Sequence, residues 1–165
     1  MNTQEFCDAL NARLCPRLYH KQVNSSGSFR LLLTMRKLIL SRYALAIYEW
    51  DREADGARQL HLARREIAKA LWAFPVFGEV GLYLTFCGPK AEWAPQISSM
   101  PADGTGLHSV IVQGIHFVDL ERGERALNQS AWGPVRFGGV DAVASEIDAI
   151  LAKPGLGDYA ARPLT

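Results

Sequence analysis

The sequence predicts a single domain of the α/β or α+β class, built on a mixed sheet of four to five strands with helices packed against it. Three observations lead there. The run 43–50, Y-A-L-A-I-Y-E-W, is apolar on both faces, as a strand covered on each side is. The run 79–89, E-V-G-L-Y-L-T-F-C-G-P, is the most strand-like stretch of the chain. Between them, Leu60, Ala63, Ile67, Leu71 and Phe74 recur at helical spacing over 57–74. Together they make a strand–helix–strand unit over 43–88, with parallel strands and a right-handed crossover. Ligands in such sheets bind beyond the carboxyl ends of the strands, here Cys87-Gly88-Pro89 and the residues that follow.

The remaining elements flank that unit. Residues 3–15 predict a first helix: Asn2 and Thr3 are cap residues, Glu5 and Asp8 suit the positive end of the helix dipole, and Phe6, Ala9, Leu10 and Leu14 form one stripe. Pro16 stops it. A polar loop runs over 20–28. Residues 29–41 fit either period: Arg30, Thr34, Lys37 and Ser41 are spaced as on a helix, yet only Ser41-Arg42 separates this run from the next, as in a two-strand hairpin. The missing helix stop favours the strand. Residues 107–121 predict a long strand, with His108, Val110, Val112, Gly114, His116, Val118 and Leu120 on one face and Ser109, Ile111, Gln113, Ile115, Phe117, Asp119 and Glu121 on the other. A turn at 121–124 returns the chain through 125–132 as a C-terminal hairpin. A last helix spans 140–152, with Val143, Ala144, Ile147, Ile150 and Leu151 on its apolar side. The domain is assigned to 1–155, with 156–165 a surface or mobile tail.

Composition narrows the class. A hydrophobic content of 48% with 21% charged residues suits a folded globular chain. The window 29–50 is interrupted by five charges, which speaks against a membrane span, and the N-terminus lacks the basic and apolar regions of a secretory signal. Three cysteines without a C-x-x-C pair argue against a disulfide framework or a structural zinc site, and a cytoplasmic location is expected.

Net charge is +1, but it is segregated. Residues 1–75 carry 12 basic against 7 acidic side chains; residues 76–165 carry 6 against 10. The acid-free stretch 9–48 holds Arg13, Arg17, Lys21, Arg30, Arg36, Lys37 and Arg42. That block either pairs with the acidic half of the chain or, with Tyr19 and Tyr43 as stacking groups, faces nucleic acid.

Site candidates are few. P-loop, G-x-S-x-G and H-E-x-x-H patterns are absent. A thiol nucleophile at Cys87 would need a base from His108 or His116 and an orienting acid such as Asp119, but Asp119 falls on the face opposite His116. His108 and His116 cannot share a metal, since eight residues of strand separate them by roughly 26 Å. No cofactor is expected. The segment 88–106, nineteen residues with three prolines and three glycines, reads as a long loop, and long loops are either functional or disordered. Lys90, Trp93 and Met100 within it, with Trp132 beyond, are candidate contacts for a partner protein. The expectation is a non-catalytic protein-interaction domain of adaptor, inhibitor or immunity type, with a homodimer also allowed. A small enzyme in the cleft beyond Cys87 and a nucleic-acid binder are the alternatives.

Overall fold

A computed structural model describes residues 1–15, 19, 21–22, 27–37, 41–73, 79–102, 109–129 and 140–152. Its centre is a six-stranded mixed sheet whose strands lie side by side in chain order: β1 (Lys21–Gln22), β2 (Leu31–Lys37), β3 (Ser41–Glu49), β4 (Val80–Cys87), β5 (Val110–Asp119) and β6 (Glu124–Gln129). The parallel trio β3–β4–β5 forms the middle, and antiparallel pairs flank it on both sides. The sheet exceeds the expected count by one, because β1 is a two-residue edge strand too short to leave a periodic signature. Over Leu31–Lys37 the ambiguous stretch takes the strand alternative; residues 38–40 lie outside the described residues. Lys37 pairs with Ser41 and Leu31 with Ile47, so the hairpin register overrides the helical spacing of the charges.

Helix α1 (Thr3–Leu14) begins in a full capping box: the Asn2 side chain accepts from Glu5 N at 2.8 Å, and Glu5 accepts from Asn2 N at 3.0 Å. Helix α2 (Gly56–Ala70) is capped by Asp55, which accepts from Arg58 N at 2.7 Å. After β4 comes a four-residue helix, α3 (Lys90–Trp93), which runs into a 3₁₀ turn over Ala94–Ser99. Helix α4 (Val140–Leu151) follows β6 in sequence. The expected structureless loop over 88–106 is therefore helical for its first half; one turn of α-helix followed by a 3₁₀ segment is too short to show a period. Residues 103–108 lie outside the described residues, as do 130–139 and the predicted tail.

The two faces of the sheet are filled differently. Helices α1 and α4 cover Leu31, Leu33, Tyr43, Leu45, Ile47, Tyr83, Cys87 and Val118 with Phe6, Leu10, Leu14, Val143 and Ile147. Helix α2 and the segment α3–3₁₀ cover Leu32, Ala44, Ala46, Tyr48, Leu82, Leu84, Phe86, Ile115 and Phe117. Both crossovers of the parallel trio thus lie on one side, as two crossovers of one hand running in one direction must.

Strand β5 departs from simple alternation. Leu82 pairs with Val112 but Tyr83 pairs with Gly114, so Gln113 is an extra residue and the strand bulges there. Val110 and Val112 face α2, whereas His116 and Val118 face α1 and α4. The expectation that all four share a face fails for this reason.

Candidate functional site

The carboxyl ends of the parallel strands are held by a close-packed junction. Gly88 follows β4, and its N–H donates to Val118 O at 2.9 Å while Trp50 N donates to Cys87 O at 2.8 Å. A methyl group at Gly88 would lie 2.4 Å from the Trp50 Cβ, so glycine is required there by contact. Asp119 pins the neighbouring turn. Its carboxylate accepts from Lys90 N at 2.9 Å, Glu121 N at 3.1 Å and Arg122 N at 3.0 Å. Burial alone would raise its pKa, but the three backbone donors and the Arg122 charge outweigh it and hold the group below its ordinary value. Asp119 therefore ties β5 to the start of α3.

Cys87 and His116 do not form a catalytic pair. Both side chains are buried, and among the described residues both ring nitrogens of His116 lack a hydrogen-bond partner, so the Cys87 thiol does not donate to the imidazole. Burial pushes the Cys87 thiol up, with Cys7 and Glu49 adding to the effect, which disfavours the nucleophilic thiolate. Burial also pushes His116 down to about 3, helped by Arg125 and opposed by Asp148. His116 sits beside Thr85 of β4 on the α1/α4 face, and Thr85 Oγ1 is likewise buried without a partner. Asp119 falls on the other face, as expected. His108 lies outside the described residues.

The candidate contact residues are also redistributed. Trp93 is fully buried: its indole N–H donates to Gly88 O at 2.8 Å, and its ring stacks on Phe117 at 5.7 Å. Met100 is buried as well. Both tie the segment after β4 to the core and offer no surface to a partner, because the helical turn folds them inward. Lys90 is exposed and forms an ion pair with Glu124 at 2.9 Å. Trp132 lies outside the described residues.

The basic block does not make one surface from the members that are described. Arg13 bridges to Glu146 of α4 at 2.7 Å. Arg30 pairs with Glu49 at 2.5 Å. Arg42 donates to Leu71 O at 2.8 Å and Trp72 O at 3.5 Å, at the end of α2. These three serve three different places and are engaged by the chain itself, which removes them from a shared phosphate-binding patch. Arg17 lies outside the described residues, and for Lys21, Arg36 and Lys37 only the backbone positions on β1 and β2 are described.

Among the described residues, an open recess lies at the carboxyl end of β3, between the sheet and the first turns of α2. It has a volume of about 350 Å³ and is lined by Ser28, Arg30, Tyr48, Glu49, Trp50, Asp51 and Phe86 from the sheet and its flanks and by Gln59, Leu62 and Ala63 from α2. Its apolar wall is aromatic: Tyr48 and Trp50 lie 5.7 and 5.9 Å from Phe86. Leu62, at 45% exposure, forms a lip. The polar lining is internally satisfied. Gln59 accepts from Asp51 N at 3.0 Å and donates to Asp51 O at 3.0 Å and Ala54 O at 2.9 Å. Tyr48 donates to Glu66 at 3.2 Å, and Ser28 Oγ reaches the same carboxylate at 2.8 Å. Sequence reasoning did not single out this set, because it is drawn from four separate stretches. Leu62 was the one local signal: an apolar residue on the otherwise polar side of α2.

Among the described residues no group of three or more His, Cys, Asp or Glu side chains is placed to hold a metal ion, and no helix is long and apolar enough to cross a membrane. Comparison with protein-family models, curated proteins and solved structures finds no match, so the site is read from its own geometry.

Proposed function

We propose that the protein is a non-catalytic, cytoplasmic protein-interaction domain that receives a partner side chain in the recess at the carboxyl end of β3. The observation that carries this reading is the recess itself: an aromatic wall of Tyr48, Trp50 and Phe86, an exposed apolar lip at Leu62, and polar groups already paired with one another. Its size is at the lower end for binding cavities, which suits an inserted side chain better than a free cofactor. Paired polar walls keep such a recess in one shape, and a preformed pocket lowers the ordering cost of association. An aromatic anchor in a desolvated pocket is the usual core of a protein–protein contact.

A photo-crosslinking residue at Leu62 tests this in the cells that make the protein, with the same residue at the exposed Gln4 on α1 as the control. The expected result is one discrete adduct from position 62 and none from position 4. Equal, diffuse labelling from both positions, or none from either, rejects the reading.

A further inference from the structure

The exposed side of α2 carries a second feature, which starts beside the Leu62 lip of the recess and continues past it to the end of the helix. On a helix of 3.6 residues per turn, Arg58, Arg65 and Lys69 fall within about 20° of one line, running roughly 16 Å, and Trp72 follows just past the end of the helix. All four are exposed, and no ion pair to another described residue holds Arg58, Arg65 or Lys69. Glu66, the acid on this helix, is turned aside to Ser28 and Tyr48.

Trp72 is the unusual member. It follows the cap residue Leu71 and has φ +50°, the left-handed conformation. Ala73 N donates to Ala68 O at 2.8 Å and Trp72 N to Lys69 O at 3.4 Å, the paired bonds of a Schellman ending. Glycine is the ordinary residue at that position, and a bulky side chain there is strained. Packing within the chain does not account for it, since the residue is 84% exposed. Strain at an exposed aromatic is a cost without a return in the free molecule. Arg42 meanwhile donates to the carbonyls of Leu71 and Trp72, covering the negative end of the helix with positive charge.

We infer that this face of α2 docks an acidic surface of a partner protein, with Trp72 as the anchor and Arg58, Arg65 and Lys69 as the charges that select and orient it. Charge complementarity fixes the sign of the partner, and tryptophan and arginine are among the residues most enriched at binding hot spots. A single-stranded nucleic acid fits less well. Its binders use a positive groove with several stacking platforms, whereas this stripe is one convex helix face with one ring.

The test is to pan a phage-displayed library of random peptides on the full chain, then measure the enriched peptides on wild type, Trp72→Gly and the double variant Arg65→Glu/Lys69→Glu. Enriched peptides are expected to carry an excess of Asp and Glu with at least one apolar residue. Their binding should weaken with added salt and fall at least tenfold in each variant. Trp72→Gly should melt at or above the wild-type temperature, because glycine relieves the left-handed strain, so its loss of binding is not a loss of fold. The inference is overturned if no peptide is enriched, if the enriched peptides lack an acidic excess, or if they bind all three proteins equally. A random-sequence 20-nucleotide RNA held more tightly than any peptide at the same salt, with the same dependence on these residues, overturns it in favour of nucleic acid. Peptides that depend on Leu62 but not on Trp72 speak for the recess and against this surface.

Discussion

The two faces of the sheet are both buried, yet they are built from different materials. Toward α2 and α3 the interior is apolar and rich in rings: Tyr48, Phe86, Phe117 and Trp93 follow one another at centroid distances of 5.7 to 6.2 Å, and Trp50 lies edge-on to two of them. Toward α1 and α4 the interior includes Thr85 and His116, whose side-chain polar atoms have no partner among the described residues, and Tyr19, whose buried hydroxyl has none among them either. A ring lost from the first face leaves a cavity. The second face already carries a penalty, because desolvated polar groups without hydrogen bonds cost free energy. The first face should therefore respond to changes of volume and the second to changes of pH.

The largest effect is expected from Trp93→Ala. It deletes a fully buried ring and its bond to Gly88, and should cost about 3–5 kcal/mol in a urea or thermal denaturation measurement. A loss below about 1 kcal/mol would show that the ring is not packed as described.

The second prediction concerns acid. His116 ordinarily titrates near 6.5 but is pushed down to about 3 by burial and by Arg125. A group whose folded pKa is depressed binds fewer protons in the folded state, so for histidine the stability is complete above 6.5 and is lost as pH falls toward 3. The slope should approach, but not exceed, about 1.4 kcal/mol per pH unit. Asp119 and Asp148 are held below their ordinary value of 3.8, so their contributions fade only at lower pH. His116→Leu should flatten the profile between pH 6.5 and about 4.5 while leaving stability at pH 7.5 equal or higher, since it removes two unsatisfied nitrogens. Parallel profiles for the two proteins would remove His116 as the cause.

The smallest effect is expected where the α1/α4 layer closes on itself. The Arg13–Glu146 bridge joins the two helices at 2.7 Å with both side chains partly exposed, so solvent screening limits it to about 0.5–1 kcal/mol. A double-mutant cycle on Arg13→Ala and Glu146→Ala measures the coupling. A value near zero would leave the packing of Phe6, Leu10, Val143 and Ile147 as what holds the layer.

How far the sequence foretold this depends on element length. Helix α2 and strands β3 and β4 were legible because each repeats its pattern several times: Tyr43, Leu45 and Ile47 take one face and Ala44, Ala46 and Tyr48 the other, as the alternation implies. Strand β2 was ambiguous because its charges happen to fit a helix, and only its pairing with β3 decides the matter. Helix α3 is one turn long and left no period, so Trp93 and Met100 looked like loop residues when they are core. The recess was hidden for another reason. Ser28, Glu49, Gln59 and Phe86 are brought together only by the sheet order and the position of α2, neither of which any local window contains. The exposure of Trp72 could be anticipated from its place beside the polar side of α2; its left-handed backbone could not, since tryptophan gives no hint of it.

The extra residue at Gln113 has a consequence for how this chain tolerates change in length. Its side chain accepts from the Tyr83 hydroxyl at 2.9 Å, which anchors the bulge to the neighbouring strand. Upstream of it, odd and even positions of β5 have one meaning; downstream they have the opposite one. Gln113 is thus a frame-shift written into the strand and corrected nowhere else. Deleting that single residue would let Val112, Gly114 and Ile115 pair one-to-one with Leu82, Tyr83 and Leu84, so the bulge would close and His116 and Phe117 would keep the faces they have. A one-residue deletion within Ile115–Phe117, where the pairing is already one-to-one, would instead exchange the faces of the residues beyond it and mismatch both interiors.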